Sequence, residues 1–112
     1  MPEIYVIRPT ERAAREHSVP IAEAIVNAKC ARGFYSSLAR VRGCKQIIIT
    51  DGVGYNRIAK IERVEDCHPL LEGQCPPRVT VYFYDVRELI ELELNALNTI
   101  TWSSRNVRYL NA

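Results

Sequence analysis

"KQIIITDGVGYNRIAKIERVED", residues 45–66, decides how this chain is read. Ile47, Ile48 and Ile49 form a continuous apolar run, which in a strand means burial on both faces. Asp51-Gly52-Val53-Gly54 then supplies a reversal with hairpin chemistry, because glycine adopts positive φ without a steric cost. "YNRIAKIERVE" runs back as a second strand. Its apolar residues Ile58, Ile61 and Val64 slip out of strict alternation, and that slip predicts a β-bulge. The turn lacks the G-x-x-x-x-G-K-[ST] or G-x-G-x-x-G context of a nucleotide loop. The stretch is therefore a piece of sheet.

Working outward, "EIYVIR" (3–8) alternates and is rich in β-formers, so it reads as a strand. Thr10 and Ser18 offer helix caps, and Pro20 suits a first turn. Residues 10–28 read as one broken helix or two short ones, with Ala22, Ile25 and Val26 on an apolar face. "GFYSS" reads as a short strand. "LARVRGC" reads as a turn at Arg42-Gly43, with glycine relieving a positive φ. "DCHPLLEGQCPP" is a loop with three prolines. "RVTVYFYDV" is the clearest strand. "RELIELELNALN" fits a strand by alternation, but its Leu, Glu and Ala are strong helix formers, and helix is preferred. "NVRYL" makes a last short strand.

The order of elements predicts an α+β fold: a small mixed β-barrel of about five or six strands with short helices at its ends, at about 20–28 and about 87–98. The 112 residues set one domain, 1–112, as the expectation. Apolar residues at 47% and charged residues at 25% match a globular chain rather than a disordered one. No apolar run reaches ~18 residues, and the N-terminus lacks the basic and apolar blocks of a signal peptide, so a cytoplasmic protein with no membrane partner is expected.

The net charge of +2 hides a segregation. Lys29, Arg32, Arg40, Arg42, Lys45, Arg57, Lys60 and Arg63 face only Asp51 and Glu62 between residues 29 and 63, giving that segment +6 and the remainder −4. A basic face of this kind suits phosphates. Folding could equally even the charges out. Arginine outnumbers lysine twelve to three, which favours bidentate contacts but also follows genome composition.

The four cysteines, Cys30, Cys44, Cys67 and Cys75, lack zinc-knuckle spacing. Inert buried thiols are the expected state, with no metal and no cofactor. Cys67, His68 and Cys75 with a distant cysteine remain a conceivable zinc set. A Cys67–Cys75 disulfide would go with a hyperthermophilic source.

With these segments in view, "GFYSSLARVRGCKQIIIT…YNRIAKIERVED" resembles the middle of PUA-like domains, the superfamily that includes the ASCH and EVE branches. "VRGCKQIII" and "RIAKIERVE" sit where that superfamily has "V-x-x-G-D-x-I-I-I-Y" and "G-x-A-x-I-x-x-V". "VTVYFYDVRELI" and "WSSRNVRYL" are similar to its later and closing strands, so the resemblance spans about residues 24–110. The ASCH signature G-x-K-x-x-E-x-R is met only at Lys29. Asn27, Arg32 and Phe34 stand where Gly, Glu and Arg would be, so hydrolase or nuclease chemistry is not carried over. The resemblance implies binding of RNA or a modified nucleobase in nucleic acid, in a cleft lined by Lys29, Arg32, Phe34, Tyr35, Ser36 and the turn from Trp102 through Ser103 to Arg105.

The residue chemistry agrees with that implication. A nucleic-acid surface needs cations for phosphates and flat side chains for bases. Lys29 and Arg32 adjoin Phe34 and Tyr35, and Arg57 adds a cation. In a strand Phe34 and Tyr35 face opposite sides, so only one can stack. Trp102 is a stacking candidate or a half-buried anchor. Tyr82, Phe83 and Tyr84 read as core and sheet surface. Cys67 beside His68 does not make a catalytic pair, because sequence neighbours rarely point at one another, and no enzyme is expected. The alternative reading is a protein-interaction or regulatory domain, including self-association as a homodimer, that uses the fold as a scaffold.

Overall fold

A computed structural model of the chain describes residues 3–9, 21–52, 54–66, 78–102 and 106–111. The elements run β1 (Glu3–Ile7), α1 (Ile21–Ala28), β2 (Cys30–Tyr35), α2 (Leu38–Arg42), β3 (Gln46–Thr50), β4 (Asn56–Asp66), β5 (Arg78–Glu88), α3 (Glu91–Leu97) and β6 (Val107–Asn111). The strands form one mixed sheet in the order β2-β5-β4-β3-β1-β6. Only β1 and β3 pair in parallel, with Tyr5 opposite Ile47 and Ile7 opposite Ile49. Every other ladder is antiparallel.

The two central strands explain the apolar run. Tyr5, Ile7, Ile47 and Ile49 face one layer, where Ala22 and Ile25 of α1 and Val41 of α2 join Ala59, Val79, Val81 and Phe83. Ile4, Val6 and Ile48 face the other, with Ile58, Leu89 and Leu97 of α3, and Trp102 and Leu110 packed against them. A sheet covered by helices on both faces needs strands that are apolar on both faces. Removing Ile49 down to alanine would leave a cavity costing about 2–5 kcal/mol.

The α+β class, the mixed sheet and its six strands stand as expected, but the barrel does not: the sheet is open. Among the described residues no ladder joins β2 to β6. The segment leading into α2 lies across that gap. Tyr5 and Ser36 share a 2.7 Å hydroxyl hydrogen bond, and the Arg40 guanidinium lies 3.7 Å from the ring centre of Tyr109 on β6. Side chains thus occupy the place where a closing ladder would run.

The structure corrects three local readings. "LARVR" is a one-turn helix because the Ser37 hydroxyl caps it, accepting from the Arg40 N–H. Gly43 closes that helix at φ −78°, so it relieves no positive φ; a side chain there would meet the Arg40 carbonyl at 3.3 Å. The strand expected over "GFYSS" begins earlier, at Cys30, and ends before Ser36. α3 is shorter than expected, because Arg87 and Glu88 still belong to β5.

The bulge expected in "YNRIAKIERVE" is present. The β4–β5 register shifts between Ile58 and Lys60 and again between Ile61 and Arg63. At the first shift Asp85 takes φ 59°, and its carboxylate meets the Lys60 ammonium at 3.1 Å. The β3–β4 turn is tied by Asp51, whose carboxylate accepts from the N–H groups of Gly54 and Tyr55, while Gly52 sits at φ 81°. The first part, 10–20, of the broken or paired helix expected over 10–28, the 67–77 loop and its Cys67, His68 and Cys75 lie outside the described residues.

Candidate functional site

Lys29 ends α1 in the left-handed region, at φ 54°, and feeds directly into β2. Its carbonyl accepts from the Phe83 N–H at 3.2 Å. Phe83 pairs with Ile61, and the Ile61 N–H donates to the Lys45 carbonyl at 2.9 Å. Lys45, Ile61, Phe83 and Lys29 therefore form one row across the sheet. Three strand spacings separate the two lysines, about 14 Å. Arg42 closes α2 three residues before Lys45.

Charge pairing sorts the basic residues. Arg40 Nε and Nη2 grip both oxygens of Glu3 at 3.0 and 2.8 Å, and this bond holds the Glu3 carboxyl below its ordinary pKa. Lys60 faces Asp85, Arg63 faces Glu65, and Arg57 lies 3.7 Å from Glu88. Lys29, Arg42 and Lys45 are exposed, and among the described residues none has a carboxylate at ion-pair distance. The excess positive charge of residues 29–63 thus collects at the row that Lys29, Arg42 and Lys45 mark.

An aromatic adjoins that row. Tyr82 pairs with Cys30 in the β2–β5 ladder and with Arg63 in the β4–β5 ladder. The Arg63 guanidinium lies 4.1 Å above its ring. Tyr82 is half-buried, so one part of the ring packs and the rest meets solvent.

The residues expected to line the cleft divide. Lys29 and the exposed Arg32 lie together, Arg32 donating to Cys30 Sγ at 3.5 Å. Ser36 is committed to Tyr5, in the layer that holds α1 and α2. Trp102 packs into the opposite layer, with the Arg8 and Arg108 guanidiniums 4.6 and 5.7 Å from its ring centre. Each such contact contributes about 0.5–2 kcal/mol, so Trp102 is an anchor for the chain between α3 and β6. Arg57 stacks on Tyr55 at 4.3 Å, at the start of β4, four residues before the row crosses it at Ile61. Ser103, Arg105 and the side chains of Phe34 and Tyr35 lie outside the described residues. Arg42 and Lys45, counted in the sequence only within the basic segment, and Tyr82, read there as core or sheet surface, are further candidates that the fold leaves exposed or half-buried.

Cys30 and Cys44 are free thiols. Cys44 is buried and donates to the Arg40 carbonyl at 3.4 Å; burial pushes its pKa up, away from a reactive thiolate. Among the described residues no group of three His, Cys, Asp or Glu side chains converges, and no helix is long and apolar enough to cross a membrane. No protein-family model, curated protein or solved structure matches the chain.

Proposed function

We propose that the chain is a PUA-like, cytoplasmic nucleic-acid-binding module without catalytic activity, which takes RNA or a modified base in nucleic acid. The observation that carries this reading is the set of exposed cations Lys29, Arg42 and Lys45, without carboxylate partners among the described residues; the half-buried Tyr82, next to Phe83 of the row in β5 and under the Arg63 guanidinium, is the nearest candidate ring. Exposed cations neutralise strand phosphates, and a half-exposed tyrosine offers a face to a base. Arg32 and Arg63 extend the same surface.

The test is a binding titration against single-stranded RNA, structured RNA and duplex DNA at about 50 and about 200 mM salt. Binding that weakens steeply with salt, and weakens again when Lys29, Arg42 and Lys45 become glutamine, supports the reading. Absence of binding to all three at the lower salt overturns it.

A specific observation favours a second reading, an interaction domain that includes self-association. Ile90 and Leu92 on the first turn of α3 are 58% and 76% exposed. A Leu92→Glu variant that turns a sedimenting dimer into a monomer would support this alternative.

A further inference from the structure

Among the described residues, three large apolar side chains are strongly exposed: Tyr84 at 47%, Ile90 at 58% and Leu92 at 76%. All three fall where β5 leads into α3. They also share one side of the sheet. Ile58 packs with Leu89 and Leu97 in the α3 layer. Lys60, two residues further along β4, keeps that face, and Tyr84 stands opposite Lys60. Phe83, next to Tyr84, points into the other layer, as strand alternation requires.

This side of the molecule has the shape of a step. α3 packs Leu94 and Leu97 onto Ile4, Val6, Ile48 and Ile58. Glu91, Leu92 and Asn95 form its outward ridge, and all three are exposed. Ile90 stands at the start of the same helix. Past the helix the sheet continues to β5, where the Tyr84 ring meets solvent. Neither Ile90 nor Leu92 belongs to either core. Apolar side chains gathered on one side in this way mark a contact surface, where scattered ones would not.

The charges around the step select its occupant. Lys60 meets Asp85 at 3.1 Å, and Arg87 grips both oxygens of Glu93 at 2.7 and 2.9 Å. Cations and carboxylates thus balance here, and a polyanion finds no surplus of cations. Glu91 is exposed and has no cation at ion-pair distance among the described residues. The exposed Lys60 ammonium has three N–H groups and holds one carboxylate, so it has donors for a second. The surface therefore joins an apolar projection, an apolar floor, a carboxylate without a cation and an ammonium with donors in reserve. Such a surface is its own complement.

We propose that this surface binds a second copy of the chain about a two-fold axis. Ile90 and Leu92 of each copy rest on Tyr84 of the other, and Glu91 reaches Lys60 across the contact. The inference rests on the interaction-domain reading and names its surface. A contact in which both copies use the same patch closes at two chains.

The experiment is sedimentation equilibrium of the whole chain from about 5 to about 200 µM. A monomer–dimer equilibrium with no larger species is expected. Tyr84→Glu and Leu92→Glu each put a charge into the contact, and each should raise the dissociation constant by about tenfold or more. A wild type that stays monomeric throughout overturns the surface together with the interaction-domain reading. A dimer that neither variant weakens, or that only one of them weakens, overturns the surface and leaves self-association to another face. Growth beyond the dimer overturns the two-fold arrangement. Both side chains are exposed, so both variants should fold. If circular dichroism shows either one unfolded, Tyr84→Ser and Leu92→Ser remove the apolar groups without adding charge. Their dissociation constants should rise severalfold, and unmoved constants overturn the proposal.

Discussion

Tyr5 is fully buried and carries a hydroxyl into the core, where an unpaired polar group would be costly. Ser36 supplies its partner. Tyr5→Phe should therefore cost about 1 kcal/mol in a urea titration, the typical net value of one such bond. Burial, the largest cause, pushes the Tyr5 phenol well above its ordinary pKa, and Tyr109 moves the same way. A folded pKa above the unfolded value, about 10, gives stability that is whole below that pH and lost as pH rises further. Wild-type stability should fall above about pH 10, and Tyr5→Phe should flatten that fall. An alkaline limb of equal steepness in both proteins would show that Tyr5 is not its source.

At the scale of elements, α3 and the α1–β2 junction carry the clearest expectations. Glu93 reaches back to accept from the Ile90 N–H at 3.0 Å, but Ile90 has no oxygen to return the bond. Ile90→Ser completes the reciprocal cap and removes an exposed apolar side chain, so it should stabilise by about 1 kcal/mol. The Arg87 hydrogen bond, the largest cause, holds the Glu93 carboxyl below its ordinary pKa. Its contribution is full above the unfolded pKa, about 4.3, and disappears as pH falls through the lower folded value. Glu93→Gln should accordingly shrink the loss of stability seen on acidification below about pH 4.3. At the junction, Lys29 holds a left-handed conformation that costs a side-chain-bearing residue about 1 kcal/mol. Lys29→Gly should raise the melting temperature while weakening nucleic-acid binding. A variant that lowers both would mean that Lys29 packs rather than binds. Elements were legible where a strand's apolar run or alternation exceeded what a helix could explain: β1, β3 and β5, and the bulged β4. α2 was not legible, because five residues show no helical period and Gly43 reads equally as a turn. The open sheet was not legible either. Local periodicity does not encode whether two edge strands meet, and here Ser36 and Arg40 cross the gap.

On the scale of the whole molecule, what matters is which charges remain after folding pairs the rest. The sequence displays eight basic residues between 29 and 63 but not their partners, because those come from afar; Glu3 lies 37 residues from Arg40. Pairing removes Arg40, Arg57, Lys60 and Arg63 from the free set, and Arg42 and Lys45 emerge beside Lys29. Lys29 and Arg32 are candidates on their basic-aromatic setting, and both are exposed at the α1–β2 junction. Trp102 could not be assigned, since a tryptophan in a polar turn looks the same whether it stacks on a ligand or, as here, anchors a layer under two arginines. Under the proposed function the half-buried Tyr82 is the further stacking candidate, next to Phe83 of the row in β5. Tyr82→Ala should weaken single-stranded RNA binding by about 1–3 kcal/mol with its salt dependence unchanged, measured by anisotropy at several salt concentrations. The most direct test of the account is the slope of log affinity for single-stranded RNA against log salt, in the wild type and in the Lys29→Gln, Arg42→Gln, Lys45→Gln triple variant. Each neutralised phosphate contributes about −0.7, so the triple variant should be shallower by about 2. An identical slope in the two proteins, or no measurable binding by the wild type at low salt, would contradict it.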